Sequence, residues 1–157
     1  MSRAWWIPDN TTSPRVKALA IDYLIDAGPI VALLDRSDQW HTWTVPTLTS
    51  LGAARYATTE TAIAEACYLL STRRSAVLTV IQMVTSGFAR VIPTLATEPA
   101  RIAQLMDKYP SMDVGDATLV VLSEQHPRAR LVTVDTKDFS IYRRQDGTLV
   151  PSIMPKV

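Results

Sequence analysis

The chain contains few of the residues that build disulfides and zinc sites. It has a single cysteine, Cys67, and two histidines, His41 and His126, among 157 residues. One cysteine excludes an internal disulfide, and this scarcity of thiolate and imidazole ligands excludes a zinc site built on several of them. Any metal ion held by this chain would therefore rely on oxygen ligands.

Long apolar runs are lacking as well. The most apolar stretch, residues 24–34, is interrupted by Asp26, Gly28 and Pro29, so it does not span a bilayer. The first ten residues carry Arg3 and several polar residues, and they lack the apolar core of a signal peptide. We therefore expect a soluble, cytoplasmic protein with no membrane partner.

Neither sign of charge is in excess. Lys and Arg total 16 and Asp and Glu total 15, which gives a net charge of +1. This balance argues against a strongly basic protein that coats nucleic acid. It leaves room for a small enzyme acting locally on nucleic acid, because net charge does not describe where the charges lie. A hydrophobic content of 47% is typical of a globular protein.

Strand-like and helix-like patterns alternate along the chain. The predicted strands cover residues 20–25, 55–58, 88–92, 130–134 and, at one edge, 147–151. The predicted helices cover residues 30–34, 40–51, 60–71, 75–85, 97–108 and 114–124. This alternation predicts an α/β fold with a central, mostly parallel sheet of four to five strands and helices on both faces. Residues 20–157 are expected to form one domain, and residues 1–19 a weakly ordered extension.

Prolines and capping residues predict where several helices begin and end. Pro29 is expected at the first position of the first helix, and Pro46 is expected to kink or shorten the second. Thr97 is expected to cap the helix over residues 97–108. Gly87 is expected to stop the helix that precedes it.

Acidic residues follow two of the predicted strands. Asp26 follows the first strand, and Asp135 follows the strand over residues 130–134. In parallel sheets, ligands bind outside the carboxyl ends of the strands. Because aspartate also suits turns, the two positions are modest evidence when taken alone.

Further acids lie on predicted helices. Glu65 belongs to a mostly apolar helix, and Asp113 and Asp116 stand at the start of the helix over residues 114–124. Helix capping and the helix dipole also account for Asp113 and Asp116, so both interpretations stay open. Two carboxylates about 4 Å apart repel by about 4 kcal/mol at an effective dielectric of about 20, so a gathered set needs a cation. Oxygen ligands favour Mg²⁺ or Mn²⁺, and such ions assist phosphodiester hydrolysis.

Four short segments resemble a known family in their order and spacing. They are Leu-Ile-Asp-Ala-Gly-Pro at 24–29, Glu-Ala-Cys-Tyr-Leu-Leu at 65–70, Met-Asp-Val-Gly-Asp-Ala-Thr-Leu-Val at 112–120 and Thr-Val-Asp-Thr-Lys-Asp-Phe at 133–139. Together they resemble the PIN domain, and most closely the VapC-type toxins of bacterial toxin–antitoxin pairs. The resemblance covers about residues 20–150.

This resemblance implies site residues for a ribonuclease. The implied catalytic and metal-binding acids are Asp26, Glu65, Asp116 and Asp135. Thr133 matches the family's polar residue near the acids, so a supporting role is implied for it. Asp113 and Asp138 are extra acids near the matched ones, and either could share the metal ion; the alternatives are a helix cap for Asp113 and, as the favoured interpretation, a turn for Asp138.

The resemblance also implies a cofactor and partners. The family cleaves RNA with Mg²⁺ or Mn²⁺, usually as a homodimer, and a small antitoxin protein silences its toxins. The family's first acid usually lies within a few residues of the start, whereas here it is residue 26. Residues 1–19 are therefore either an addition or a mis-assigned start.

Two arginine pairs are candidates for contacts with RNA phosphates or antitoxin carboxylates. They are Arg73 with Arg74 and Arg143 with Arg144. The alternative for each pair is an ordinary solvated surface, where isolated charges contribute little.

Three functions remain open at this stage. The first is a Mg²⁺-dependent endoribonuclease that acts as the toxin of a toxin–antitoxin pair. The second is a PIN nuclease of RNA processing or decay without a toxin role, and the third is a PIN-like RNA-binding module without catalysis. Phosphoryl-transfer folds that use an Asp-x-Asp-x-Thr pattern fit less well, because Ala27 and Gly28 follow Asp26.

Overall fold

The computed structural model describes residues 20–156, and the predicted extension over residues 1–19 lies outside the described residues. The strands are β1 (Tyr23–Ile25), β2 (Tyr56–Thr59), β3 (Ala89–Ile92), β4 (Arg130–Val132) and β5 (Ser152–Ile153). The helices are α1 (Ala27–Leu34), α2 (His41–Leu51), α3 (Glu60–Leu69), α4 (Arg74–Thr85), α5 (Thr94–Thr97), α6 (Pro99–Lys108) and α7 (Val114–Gln125).

The five strands form one sheet in the order β3-β2-β1-β4-β5, and every neighbouring pair is parallel. Tyr23 of β1 lies opposite Tyr56 of β2 on one side and Arg130 of β4 on the other. From β1 the chain adds β2 and β3 in one direction, and it then returns to add β4 and β5 in the other. The order therefore reverses between β1 and β4, which is where open parallel sheets form a binding crevice.

The sheet has a hydrophobic core on each face. Leu24 and Leu131 pack with residues of α6 and α7, whereas Ile25 and Tyr56 pack with residues of α1, α3 and α4. Successive strand residues point to opposite faces, so the neighbours Leu24 and Ile25 enter different cores. The α/β class, the mostly parallel sheet and the helices on both faces are confirmed. Helix α7 is apolar nearly all round, and most of its residues are buried.

Several helix ends differ from the predicted ones. Helix α1 begins directly after Asp26, whose side chain caps it, so Pro29 lies within its first turn instead of starting it. Helix α2 continues through Pro46 despite the backbone hydrogen bond that proline cannot donate. Thr97 does not cap the next long helix, because it ends the short helix α5, and α6 begins separately with Pro99.

The last predicted strand is wrong in position. Of residues 147–151, Pro151 bonds to the sheet, where its carbonyl accepts from the Leu131 backbone N–H (2.7 Å), and the fifth strand itself is Ser152–Ile153. Leu149 forms only an isolated antiparallel bridge with Arg143. Gly147, with φ of +82°, turns the chain between these two residues in a conformation that other residues rarely adopt.

The helices are short, and the longest of them, α4 and α7, have 12 residues each. Within residues 20–156 no helix is long and apolar enough to cross a membrane.

On the sheet face that they share, α6 and α7 are joined by an ion pair of 2.8 Å between Arg101 and Glu124.

Candidate active site

Asp26 is buried at the carboxyl end of β1, where only 8% of it is exposed. Its Oδ1 accepts a hydrogen bond from the Ala27 backbone N–H (2.7 Å), and its Oδ2 accepts one from the Thr133 hydroxyl (2.7 Å). Burial raises the pKa of Asp26 to about 6; the two hydrogen bonds oppose the rise, and the negative charges of Asp135 and Asp113 add to it. The surroundings of Asp26 therefore disfavour its ionised carboxylate.

Thr133 links the ends of β1 and β4. While its hydroxyl donates to Asp26, its Oγ1 accepts from the backbone N–H of Asp135 (3.0 Å). The Asp135 Oδ1 in turn accepts from the backbone N–H of Asp138 (2.8 Å). These bonds fix the segment after β4, so that Asp135 lies near Asp26 and Asp138 lies near Asp135.

Asp116 enters the same region from the first turn of α7. Asp113 caps this helix, because its Oδ1 accepts from the Asp116 backbone N–H (2.8 Å). The Tyr142 hydroxyl donates to Asp116 Oδ2 (3.1 Å). Burial and the charges of Asp113 and Asp26 raise the pKa of Asp116 to about 8. Asp116 therefore serves the site with its carboxylate, while capping of the helix falls to Asp113.

Glu65 faces these acids from α3, although it is exposed at the surface. A Cβ atom placed on Gly115 would stand 3.4 Å from Glu65 Oε2 and 3.2 Å from Asp113 Oδ1. Partial burial and the charges of Asp26, Asp113 and Asp135 raise the pKa of Glu65. The absent side chain of Gly115 leaves room for both carboxylates.

Carboxylate oxygens of Asp116, Asp135 and Asp138 all lie within 4.8 Å of one another. The arginine–carboxylate ion pairs found in the described part of the chain involve other acids. The acidic cluster comprises Asp26, Glu65, Asp113, Asp116, Asp135 and Asp138. A set of carboxylate oxygens at this spacing, without basic partners, is suited to a hard divalent cation.

The structure brings the sequence-predicted acids and Thr133 to one place. Asp138, for which the sequence favoured a turn over a share in the metal site, lies with them, and so does Tyr142, which no sequence pattern indicated. A turn aspartate and a metal-binding aspartate have the same local sequence signature, so only the spacing of the folded chain separates them. Tyr142 is fully buried in the core, and its ring packs edge-on against that of Phe139.

The predicted arginine pairs are placed differently from one another. Arg73 forms an ion pair of 2.5 Å with Asp35, whereas Arg74 is exposed at the start of α4. Arg143 is half-buried. Arg144 is buried instead of exposed, and it donates to a serine hydroxyl of α7 (3.2 Å) and to a backbone carbonyl after that helix (3.3 Å).

No protein-family model and no curated protein matches the chain. Solved structures are similar to the chain, and a toxin and a toxin–antitoxin complex are among them. One is VapC20 of Mycobacterium tuberculosis, described as a toxin that cleaves the sarcin-ricin loop; it is 16% identical, with a TM-score of 0.63 over 70% of this chain and 87% of the toxin. The chain shares the PIN-like fold of this toxin.

Two further structures agree with this PIN fold. A toxin–antitoxin complex from Klebsiella pneumoniae is 18% identical, with a TM-score of 0.55 over 76% of this chain and 92% of its own. The protein PAE2754 from Pyrobaculum aerophilum is 19% identical, with a TM-score of 0.55 over 87% of this chain and 91% of its own. In the PIN fold of this chain, the acidic cluster occupies the point where the strand order reverses.

Proposed function

We propose that this chain is a metal-dependent endoribonuclease whose acidic cluster binds Mg²⁺ or Mn²⁺. The observation that carries the proposal is the convergence of Asp116, Asp135 and Asp138 within 4.8 Å, beside the buried carboxyl of Asp26. The site residues implied by the sequence, Glu65 among them, would hold the ion from three sides of the crevice.

The donor set fits a hard divalent ion. Every candidate ligand atom is a carboxylate oxygen, and the raised pKa values of Asp26 and Asp116 follow from burial among like charges. A cation between these groups would replace the protons that otherwise neutralise them. RNA carries negative charge, so a cluster without a cation would repel the phosphate that must enter.

The chain's own residues keep the acids in position for hydrolysis. When bound, a divalent ion supplies electrostatic stabilisation of a phosphate group and lowers the pKa of an attacking water. Thr133 orients Asp26 from β4, and Tyr142 orients Asp116 from the segment before β5. Both hydroxyl donors favour the ionised carboxylate, which is the form that binds a cation.

The toxin role is supported by the toxins among the solved structures with this fold. A small antitoxin protein is the proposed partner, with a homodimer and a cytoplasmic location as in the family that the sequence resembles. Large apolar side chains are exposed on α3 and α4, where they offer a surface to a protein partner: Tyr68, Leu69, Leu78 and Ile81.

Cleavage of RNA tests the proposed activity. We expect the purified chain to hydrolyse single-stranded RNA with Mg²⁺, and Asp116→Asn to abolish the reaction without loss of circular dichroism signal. Asp107→Asn, which changes an exposed acid on α6, is the matched control and should cleave normally. Equal cleavage by both variants would disprove the assignment of the site.

Expression in bacteria separates the toxin role from a role in RNA processing. We expect growth arrest when the chain is expressed alone and recovery when the small reading frame beside its gene is co-expressed. Normal growth of cells that contain active nuclease would instead support an enzyme of RNA processing or decay.

A further inference from the structure

A small cavity lies beside the acidic cluster. Its volume is about 180 Å³, and its walls include Thr59, Thr61, Ala64, Leu95 and Thr118. None of these residues belongs to the acidic cluster, and the proposed hydrolysis does not use them. The cavity is therefore a separate feature of the same region.

The cavity and the acidic cluster occupy neighbouring positions on one edge of the sheet. Thr59 ends β2 and Leu95 follows β3, whereas Asp26 follows β1. Because β2 pairs with β1 and β3 pairs with β2, these two walls follow strands that lie one and two positions from β1, at about 4.8 Å per position. A single nucleotide can reach across that distance.

A chain of hydroxyl groups connects the two features. The Thr61 and Thr118 hydroxyl oxygens are 2.7 Å apart, and Thr59 Oγ1 is 2.9 Å from Thr61 Oγ1. The Thr118 hydroxyl donates to the carbonyl of Gly115 (2.7 Å), the residue whose missing side chain makes room for Glu65. The wall of the cavity and the metal-binding acids thus share the framework of α3 and α7.

The chemistry of the walls suits a nucleobase and disfavours a phosphate. The hydroxyls bond to one another, and the remaining lining is largely methyl and methylene groups, with Leu95 43% exposed at the mouth. An apolar slot of this size has room for the face of an unstacked base, and proteins that recognise single-stranded RNA commonly bind its unstacked bases. The carboxylate of Glu60 also lines the cavity, and it would repel a phosphate.

We propose that this cavity binds one unstacked nucleobase of the RNA substrate, adjacent to the phosphate held at the acidic cluster. The Glu60 carboxylate in its wall would accept a hydrogen bond from an amino or imino N–H of the base, because an ionised carboxylate only accepts hydrogen bonds. This inference rests on the proposed function, since it names a substrate subsite of the same enzyme.

Binding of mononucleotides by the full chain tests the proposal without requiring cleavage. In NMR titrations with Mg²⁺, we expect adenosine, guanosine and cytidine 5′-monophosphates to bind about tenfold more tightly than ribose 5-phosphate, which has no base. The amide signals of Thr61 and Leu95 should shift with the nucleotides only.

Filling the cavity provides the decisive variant. Ala64 is exposed on α3, so Ala64→Leu is compatible with folding and places a larger side chain in the slot. It should bring nucleotide affinity down to that of ribose 5-phosphate, whereas the control Ala103→Leu, on an exposed face of α6, should bind like the original chain. Equal affinities for the two variants, equal binding of ribose 5-phosphate and nucleotides, or no binding at all would overturn the proposal.

These outcomes separate the subsite from the activity. RNA cleavage without base-dependent binding would refute the nucleobase subsite and leave the proposed nuclease standing. Base-dependent binding that Ala64→Leu abolishes, in a chain that does not cleave RNA, would support the subsite and refute the nuclease.

Discussion

At Asp26, burial and neighbouring negative charges raise the pKa of the carboxyl, and two hydrogen bonds lower it. The carboxyl accepts hydrogen bonds on both oxygens, and yet its pKa rises from 3.8 to about 6, because few water molecules reach it and other acids surround it. The folded chain therefore holds this proton more tightly than the unfolded chain does. It follows that the free energy of unfolding falls as the pH rises from about 4 to about 6, and stays low above that range.

Replacing Asp26 by asparagine should remove this pH dependence. In metal-free buffer at pH 7.5, we expect Asp26→Asn to raise the free energy of unfolding by up to about 3 kcal/mol, because each pKa unit corresponds to about 1.4 kcal/mol. Urea unfolding at several pH values between 4 and 7.5 measures the effect, with Asp107→Asn as control. A variant that is no more stable than this control at pH 7.5 would refute the buried charge.

The hydroxyl of Thr133 supports Asp26 and can be tested separately. Thr133→Val keeps the shape but leaves Asp26 Oδ2 and the Asp135 N–H without their partner, at a cost of about 1–3 kcal/mol. It also removes a bond that lowers the pKa of Asp26, so the acid limb of the cleavage rate should move to higher pH. Thr133→Ser should retain the original profile, and identical profiles for the two variants would exclude the role.

Residue identities were predictable from the sequence where a motif surrounds them. Asp26 and Asp116 lie within the short segments that resemble the family, and Glu65 was conspicuous as a charged residue on a mostly apolar helix. For Asp138 the sequence left a turn and a share in the metal site open, because a turn aspartate and a metal-binding aspartate have the same local sequence. Burial of Arg144 was not predictable, since it depends on a serine hydroxyl in another element.

At the scale of elements, helix α7 contains a position, Gly115, where a larger side chain would crowd the acidic cluster. Gly115 lies in its first turn, where alanine would ordinarily raise helix stability by up to about 1 kcal/mol. Here the added Cβ would stand 3.2 Å from Asp113 Oδ1 and 3.4 Å from Glu65 Oε2. An alanine at position 115 should therefore stabilise the helix and at the same time disturb the two carboxylates.

We expect Gly115→Ala to weaken Mn²⁺ binding by about tenfold while the free energy of unfolding is unchanged or higher. Calorimetric titration and urea unfolding of the same preparation measure the two effects. Val114→Ala alters the neighbouring exposed position and should leave Mn²⁺ affinity unchanged. Unaltered affinity in Gly115→Ala would show that the carboxylates have more room than the structure gives them.

The predictability of each element followed from its local signals. Helices α3 and α7 combine a side-chain cap with an apolar pattern, and both were predicted to within a few residues. The two-residue strand β5 was not, because it exists only through pairing with β4. Helix α5 was missed, since four residues carry too little periodicity to show it.

For the whole molecule, topology explains how distant segments make one site. Asp26 and Thr133 are 107 residues apart in sequence, and they meet because β1 and β4 are neighbours in the sheet. The sequence predicted a parallel sheet and acids at strand ends, but it did not contain the strand order. The near-neutral net charge conceals this concentration of acids, because basic residues are spread elsewhere.

Binding of Mn²⁺ by the intact chain tests the central claim most directly. In calorimetric titrations near pH 7.5, we predict that Mn²⁺ binds and releases protons, because Asp116, with a pKa of about 8, must ionise to receive the cation. Asp116→Asn should abolish both binding and proton release, and Asp107→Asn should preserve them. Absence of Mn²⁺ binding, or binding that Asp116→Asn leaves intact, would contradict the assignment of the acidic cluster as a metal site.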